Sequence, residues 1–136
     1  MTQRLEKILD KAIEITHNLT KGLSQEELTA LWPSTSEVGS ASEIHGSWAN
    51  EQNTPGFMEL YLSLQPDGTG SFIKHASHVR EWSLRYTLEA SVLKQAFAAK
   101  DSDDTSEKET AVRLLGGKLL IQDSHGDIAV FVRTGT

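Results

Sequence analysis

Apolar residues in the first part of the chain recur at helical spacing. Leu5, Ile8, Leu9, Ala12, Ile13 and Leu19 fall mostly three or four apart, with Arg4, Glu6, Lys7, Asp10, Lys11 and Glu14 mostly between them. The pattern predicts an amphipathic helix over about residues 3–20, whose apolar stripe needs a surface to bury it. Lys21-Gly22 supplies a stop signal. A second, short helix is predicted after Ser24, because Glu27 stands three residues later in a capping-box pattern. Leu28 and Leu31 give it an apolar edge, and Pro33 disfavours helix at Trp32. Residues 33–43 read as a polar linker with turn chemistry.

From Ile44 onward the period changes to two. Met58, Leu60, Leu62 and Leu64 alternate with Phe57, Glu59, Tyr61 and Ser63, and Trp82, Leu84 and Tyr86 with Glu81, Ser83, Arg85 and Thr87. Each run predicts a strand with one buried face. Further strands are expected near Trp48 and over Gly70–His75, Val92–Ala98, Ala111–Leu115, Lys118–Gln122 and Asp127–Arg133. Asp67-Gly68 and Gly116-Gly117 are hairpin signals. Nearly every connection is too short for a crossover helix, so neighbouring strands must be antiparallel. The expected fold is mainly β with N-terminal helices: an up-and-down eight-stranded barrel over residues 44–136, with the 1–43 segment packed on it. Closure into a barrel is how such a meander removes its exposed edges.

Length and charge narrow the function. The 136 residues suffice for one core. Thirteen basic residues face 19 acidic ones, a net charge of −6, which argues against a general nucleic-acid binder and against docking on anionic lipid. The absence of cysteine excludes disulfides, thiolate zinc sites and iron–sulfur clusters. No apolar run reaches the roughly 20 residues of a membrane span. Residues Met1–Lys7 lack a signal-peptide core, so a cytoplasmic location is expected.

The segment Gly46-Ser47-Trp48-Ala49-Asn50, opening a meander that ends in Phe131-Val132-Arg133, resembles the lipocalin-like (calycin) group. In that group a G-x-W motif opens the first barrel strand, and the Trp packs at the closed end under an Arg from the last strand. The resemblance implies those places for Gly46, Trp48 and Arg133. Leu64–Gly70 is similar to the family's second hairpin, and Trp82–Tyr86 to a mid-barrel strand. The order departs from the family in placing the helices before the barrel. Avidins share a similar opening, but their biotin-contacting set has no counterpart here, and biotin binding is not implied.

The sequence carries few residues arranged for chemistry. His75 and His78 form H-x-x-H, yet in a continuous strand they face opposite sides, and neither His45 nor His125 is required to join them. No metal or other cofactor is expected. The run 101–109 carries five acids and one Lys, but it lacks the glycine and flanking helices of an EF-hand, so a solvated, dispensable loop is expected over Lys100–Glu109. There is no nucleophile elbow, P-loop or dinucleotide fingerprint, and nothing points to catalysis. Two functions lead, with an enzyme third because the resemblance implies that such barrels sometimes house one. One is binding of a small apolar or amphipathic ligand inside the barrel, lined by Met58, Leu60, Leu62, Trp82, Leu84, Tyr86 and Phe97, with Leu64, Phe72 and Leu93 beside them. The other is an acidic interaction module with a filled barrel, such as an inhibitor or immunity-type partner of a basic protein. The N-terminal helix offers a surface for a homodimer.

Overall fold

The computed structural model describes residues 23–134. The helix expected over residues 3–20, and its packing on the barrel, lie outside the described residues.

The chain first forms α1 (Gln25–Leu31), opened by the expected capping box: Ser24 Oγ accepts from Glu27 N at 3.1 Å, and Ser24 N donates to the Glu27 carboxylate at 3.2 Å. Pro33 passes the chain into a single 3₁₀ turn, Trp32–Ser34. Nine strands follow: β1 (Ser36–Glu37), β2 (Gly46–Asn50), β3 (Glu59–Leu64), β4 (Thr69–His75), β5 (Val79–Glu89), β6 (Val92–Ala99), β7 (Thr105–Leu115), β8 (Lys118–Gln122) and β9 (Ile128–Arg133). Strands β2 to β9 pair with their sequence neighbours, every pair is antiparallel, and β9 pairs back to β2. The eight strands therefore close into an up-and-down barrel. The small β1 adds to the far half of β7, with Ser36 opposite Leu114.

Turn chemistry sets the registers. The β7–β8 hairpin turns on Gly116 and Gly117, with φ of 54° and 84°, a pair of left-handed residues that suits a two-residue turn. The β5–β6 turn uses the same conformation without glycine, at Ala90 and Ser91, with φ of 51° and 62°. Ser91 is held there by its side chain, which donates to the Val112 carbonyl and accepts from Val38 N. At Gly70 strands β3 and β4 approach closely: a Cβ there would sit 2.1 Å from the Ser63 carbonyl oxygen.

The barrel's inner face forms one core. Trp48, Leu62, Leu64, Leu84, Tyr86, Leu93, Val112, Leu119 and Phe131 are buried together, and Val38 and Ile44 close the lower end beneath them. Trp48 Nε1 donates to the Ile44 carbonyl at 3.0 Å. Arg133 lies 4.2 Å from the Trp48 ring, and its Nη1 and Nη2 donate to the carbonyls of His45 and Glu43. Gly46 has φ of 122°, and a Cβ on it would meet Arg133 Nη1 at 2.9 Å. A second core lies outside the wall, where Leu28 of α1 covers Leu120 and Ile128, with Trp32 and Val130 packed against them.

Three expectations need correction. The run expected as a loop over Lys100–Glu109 is a loop only to Asp104; Thr105–Glu109 is strand, in register with Ala98–Lys94 of β6. Backbone pairing with a neighbour stabilises those residues although their side chains are polar. Met58 has the parity of Leu60 but precedes β3 and is 41% exposed, at the rim. The polar linker over residues 33–43 buries Val38 and forms the lower plug.

Candidate functional site

The two ends of the barrel differ. At the plugged end inner-face side chains are sealed: Trp48 is 1% exposed, and Leu64, Leu93 and Leu119 are 0%. At the other end β4 to β7 run on past the short β8 and β9. There Leu60, Phe72, Trp82 and Phe97 share the inner face yet are only half-buried. Register brings them together: Leu62, Phe72, Trp82 and Ala99 are successive cross-strand partners, as are Leu84 and Phe97. The Phe72 ring lies 5.7 Å from Trp82 and 6.3 Å from Phe97, the latter edge-to-face. This aromatic layer floors the wide end.

Above it the inner positions turn cationic. Lys74 and Arg80 are direct partners on the face of Phe72 and Trp82, and Arg80 stacks 4.9 Å from the Trp82 ring. Lys108 Nζ lies 5.9 Å from the Phe97 ring. Arg80 also faces Asp101 and Asp104 of the rim loop, at 3.6 and 3.9 Å. The exposed Phe57, Met58 and Val79 occupy the same rim, since Glu59, His75 and Val79 are one rung.

The wall beside this mouth is incomplete. Strand β8 pairs only with Ala111–Leu115, so Thr105–Thr110 has a partner on one side alone, β6. The backbone of this half of β7 is therefore an unpaired edge on the side of β8.

Of the ten residues expected to line a ligand site, Leu60, Phe72, Trp82 and Phe97 meet at the wide end. Leu62, Leu64, Leu84, Tyr86 and Leu93 are buried below it, and Met58 stands at the rim. Tyr86 donates its hydroxyl to the Gln65 carbonyl. Burial first, and then the Asp67 charge, pushes its phenol above the ordinary tyrosine range. Sequence reasoning missed Lys74, Arg80 and Lys108, whose parity with Phe72, Trp82 and Phe97-facing positions was the available signal. The histidines do not converge: His75 ends β4, edge-on to Tyr61 at 5.9 Å, and no cluster of three metal-ligating side chains occurs among the described residues.

The outer face of β5–β7 carries a shallow recess of about 390 Å³, bordered by Arg85, Thr87, Lys94, Glu107 and Glu109, with Ala96 as floor. Its lining mixes both charges and few apolar side chains. No helix among the described residues is long and apolar enough to cross a membrane. No protein-family model matches the chain, and neither a curated protein nor a solved structure matches it.

Proposed function

We propose that the wide end of the barrel binds a small apolar or amphipathic molecule, in the manner of a compact lipocalin-like carrier, without catalysis. One observation supports this reading: Leu60, Phe72, Trp82 and Phe97 lie on the inner face and are nevertheless only partly buried. A filled interior buries such rings as fully as Trp48, at about 25 cal/mol per Å² of apolar surface. Rings left open above a sealed core form a concave apolar wall with a few polar groups, the usual composition of a small-molecule site. The ligand enters from the rim and rests on the aromatic layer; Leu62, Leu64 and Leu84 support that layer from below.

Titration with a fluorescent alkyl probe tests this. Saturable binding is expected for the wild type, and Leu60→Trp, which adds bulk within the layer, should abolish it with the fold retained. Absence of binding by the wild type contradicts the proposal. The alternative, an interaction module, draws on the exposed carboxylates of Asp101, Asp103, Asp104, Glu107 and Glu109. It predicts tight capture of a basic protein that is insensitive to Leu60→Trp.

A further inference from the structure

The inner face holds a polar group that the aromatic layer does not explain. Gln95 of β6 and Lys108 of β7 are direct cross-strand partners, and Thr110 follows Lys108 on the same face. Gln95 and Thr110 are buried, 7% and 8% exposed. Thr110 Oγ1 is fully enclosed and has no hydrogen-bond partner among the described residues. Neither the Gln95 amide nor the Lys108 ammonium bonds to another described side chain or carbonyl; Lys108 has only its contact with the Phe97 ring. A buried hydroxyl left without a partner costs on the order of 1–3 kcal/mol. A fold gains nothing by leaving this hydroxyl unpartnered, next to the buried Gln95 and in line with Lys108, unless something fills the place.

We infer that Gln95, Lys108 and Thr110 receive the negatively charged end of the ligand, so that the molecule bound at the wide end is an anionic amphiphile. The inference rests on the proposed ligand site and names the chemical class of its occupant. All three groups can donate, to a carboxylate or a sulfonate alike. The position suits such a molecule, because Phe97 lies beside Lys108 and leads directly to Phe72 and Trp82 for the apolar part. Along Thr105–Thr110 the wall has a strand partner on one side alone, so this side is not closed by a second strand.

Charge placement agrees. The chain carries −6 overall. Yet strand alternation from the ladder registers puts Lys74, Arg80, Lys108 and Arg133 on the inner face, and no carboxylate among the described strand residues. The nearest acids point elsewhere. Glu107 and Glu109 flank Lys108 in sequence and so face outward, where Glu109 meets Lys94 at 4.0 Å; Asp101 and Asp104 sit on the rim loop beside Arg80. A neutral ligand would leave the Lys108 ammonium, which is exposed beside the Phe97 ring, without the counter-charge that an anionic end supplies.

The test is fluorescence titration of the full chain with dansylated undecanoic acid and with its methyl ester. The wild type should bind the acid about tenfold more tightly or better, the worth of a charge-assisted hydrogen bond. Lys108→Met and Thr110→Val should each lower affinity for the acid toward that of the ester and leave the ester unchanged. Lys94→Met, on the outer face of the same ribbon, should alter neither. Thermal unfolding by circular dichroism verifies that each variant is folded. Equal affinity for acid and ester, or an acid preference that survives both variants, overturns the inference while the ligand site stands. Binding of neither probe overturns the ligand site and the inference with it.

Discussion

Lys118 and Glu51 form an ion pair at 2.6 Å, with side chains only 4% and 9% exposed. The other ion pairs among described residues are far more open; Lys100–Glu81, at 3.2 Å, leaves its side chains 52% and 39% exposed. Exposed pairs contribute about 0–1 kcal/mol. A sealed pair behaves differently, because removing one member strands the other charge away from water, at about 3–5 kcal/mol. Glu51→Gln and Lys118→Met should each cost that much. For a chain of this length that corresponds to a melting temperature lower by roughly 10–20 °C. The double variant Glu51→Leu/Lys118→Met leaves no charge behind and should be more stable than either single variant. Urea unfolding followed by tryptophan fluorescence measures all three. The coupling should also survive added salt, which screens only solvated pairs. Single variants each costing under about 1 kcal/mol, with additive effects in the double, would refute the reasoning.

Gly70→Ala should destabilise by about 1–3 kcal/mol or more, measured by the same urea titration, because its Cβ meets the Ser63 carbonyl at 2.1 Å and the strand must move. Replacing Asp101–Asp104 by Gly and Ser at equal length should leave the melting temperature nearly unchanged, whereas Gly at 105–109 should lower it clearly, since only the second stretch belongs to the ladder. Tyr86 prefers its neutral form in the fold, its phenol being raised by burial and by Asp67. Its contribution is therefore complete below the ordinary tyrosine value of about 10 and is lost as pH rises through the higher folded value. Tyr86→Phe should flatten the alkaline part of a stability-versus-pH curve; an unchanged slope contradicts this.

Much of the fold was legible because it rests on local signals. Ser24 and Glu27 announced α1 by a reciprocal cap, Gly116-Gly117 announced a tight hairpin, and alternation in Leu60–Leu64 and Trp82–Tyr86 set the inner face. Thr105–Glu109 reads as loop because its composition signals solvent, while its pairing is a property of the backbone, which composition does not report. The alternation Ser106, Lys108, Thr110 was present but carried no apolar residue to mark it. Met58 has the right parity and the wrong height, and strand ends are set by tertiary pairing. The Lys118–Glu51 pair joins residues 67 apart and left no trace in sequence. The candidate site depends on unequal strand lengths around the barrel, which leave one end open. Such lengths emerge only from the registers.

The chain has three tryptophans, each in a different place. Trp48 donates its indole N–H to Ile44 in the sealed core, Trp32 packs outside the wall against the second core, and Trp82 belongs to the aromatic layer at the wide end. Their indole N–H resonances in a proton–nitrogen NMR spectrum therefore report separately on the three regions. Titrating the protein with dodecanoate below its micelle concentration should move the Trp82 resonance saturably and leave those of Trp48 and Trp32 in place. Three unmoved resonances at saturating dodecanoate, or a shift confined to Trp32, would contradict a ligand site at the wide end of the barrel.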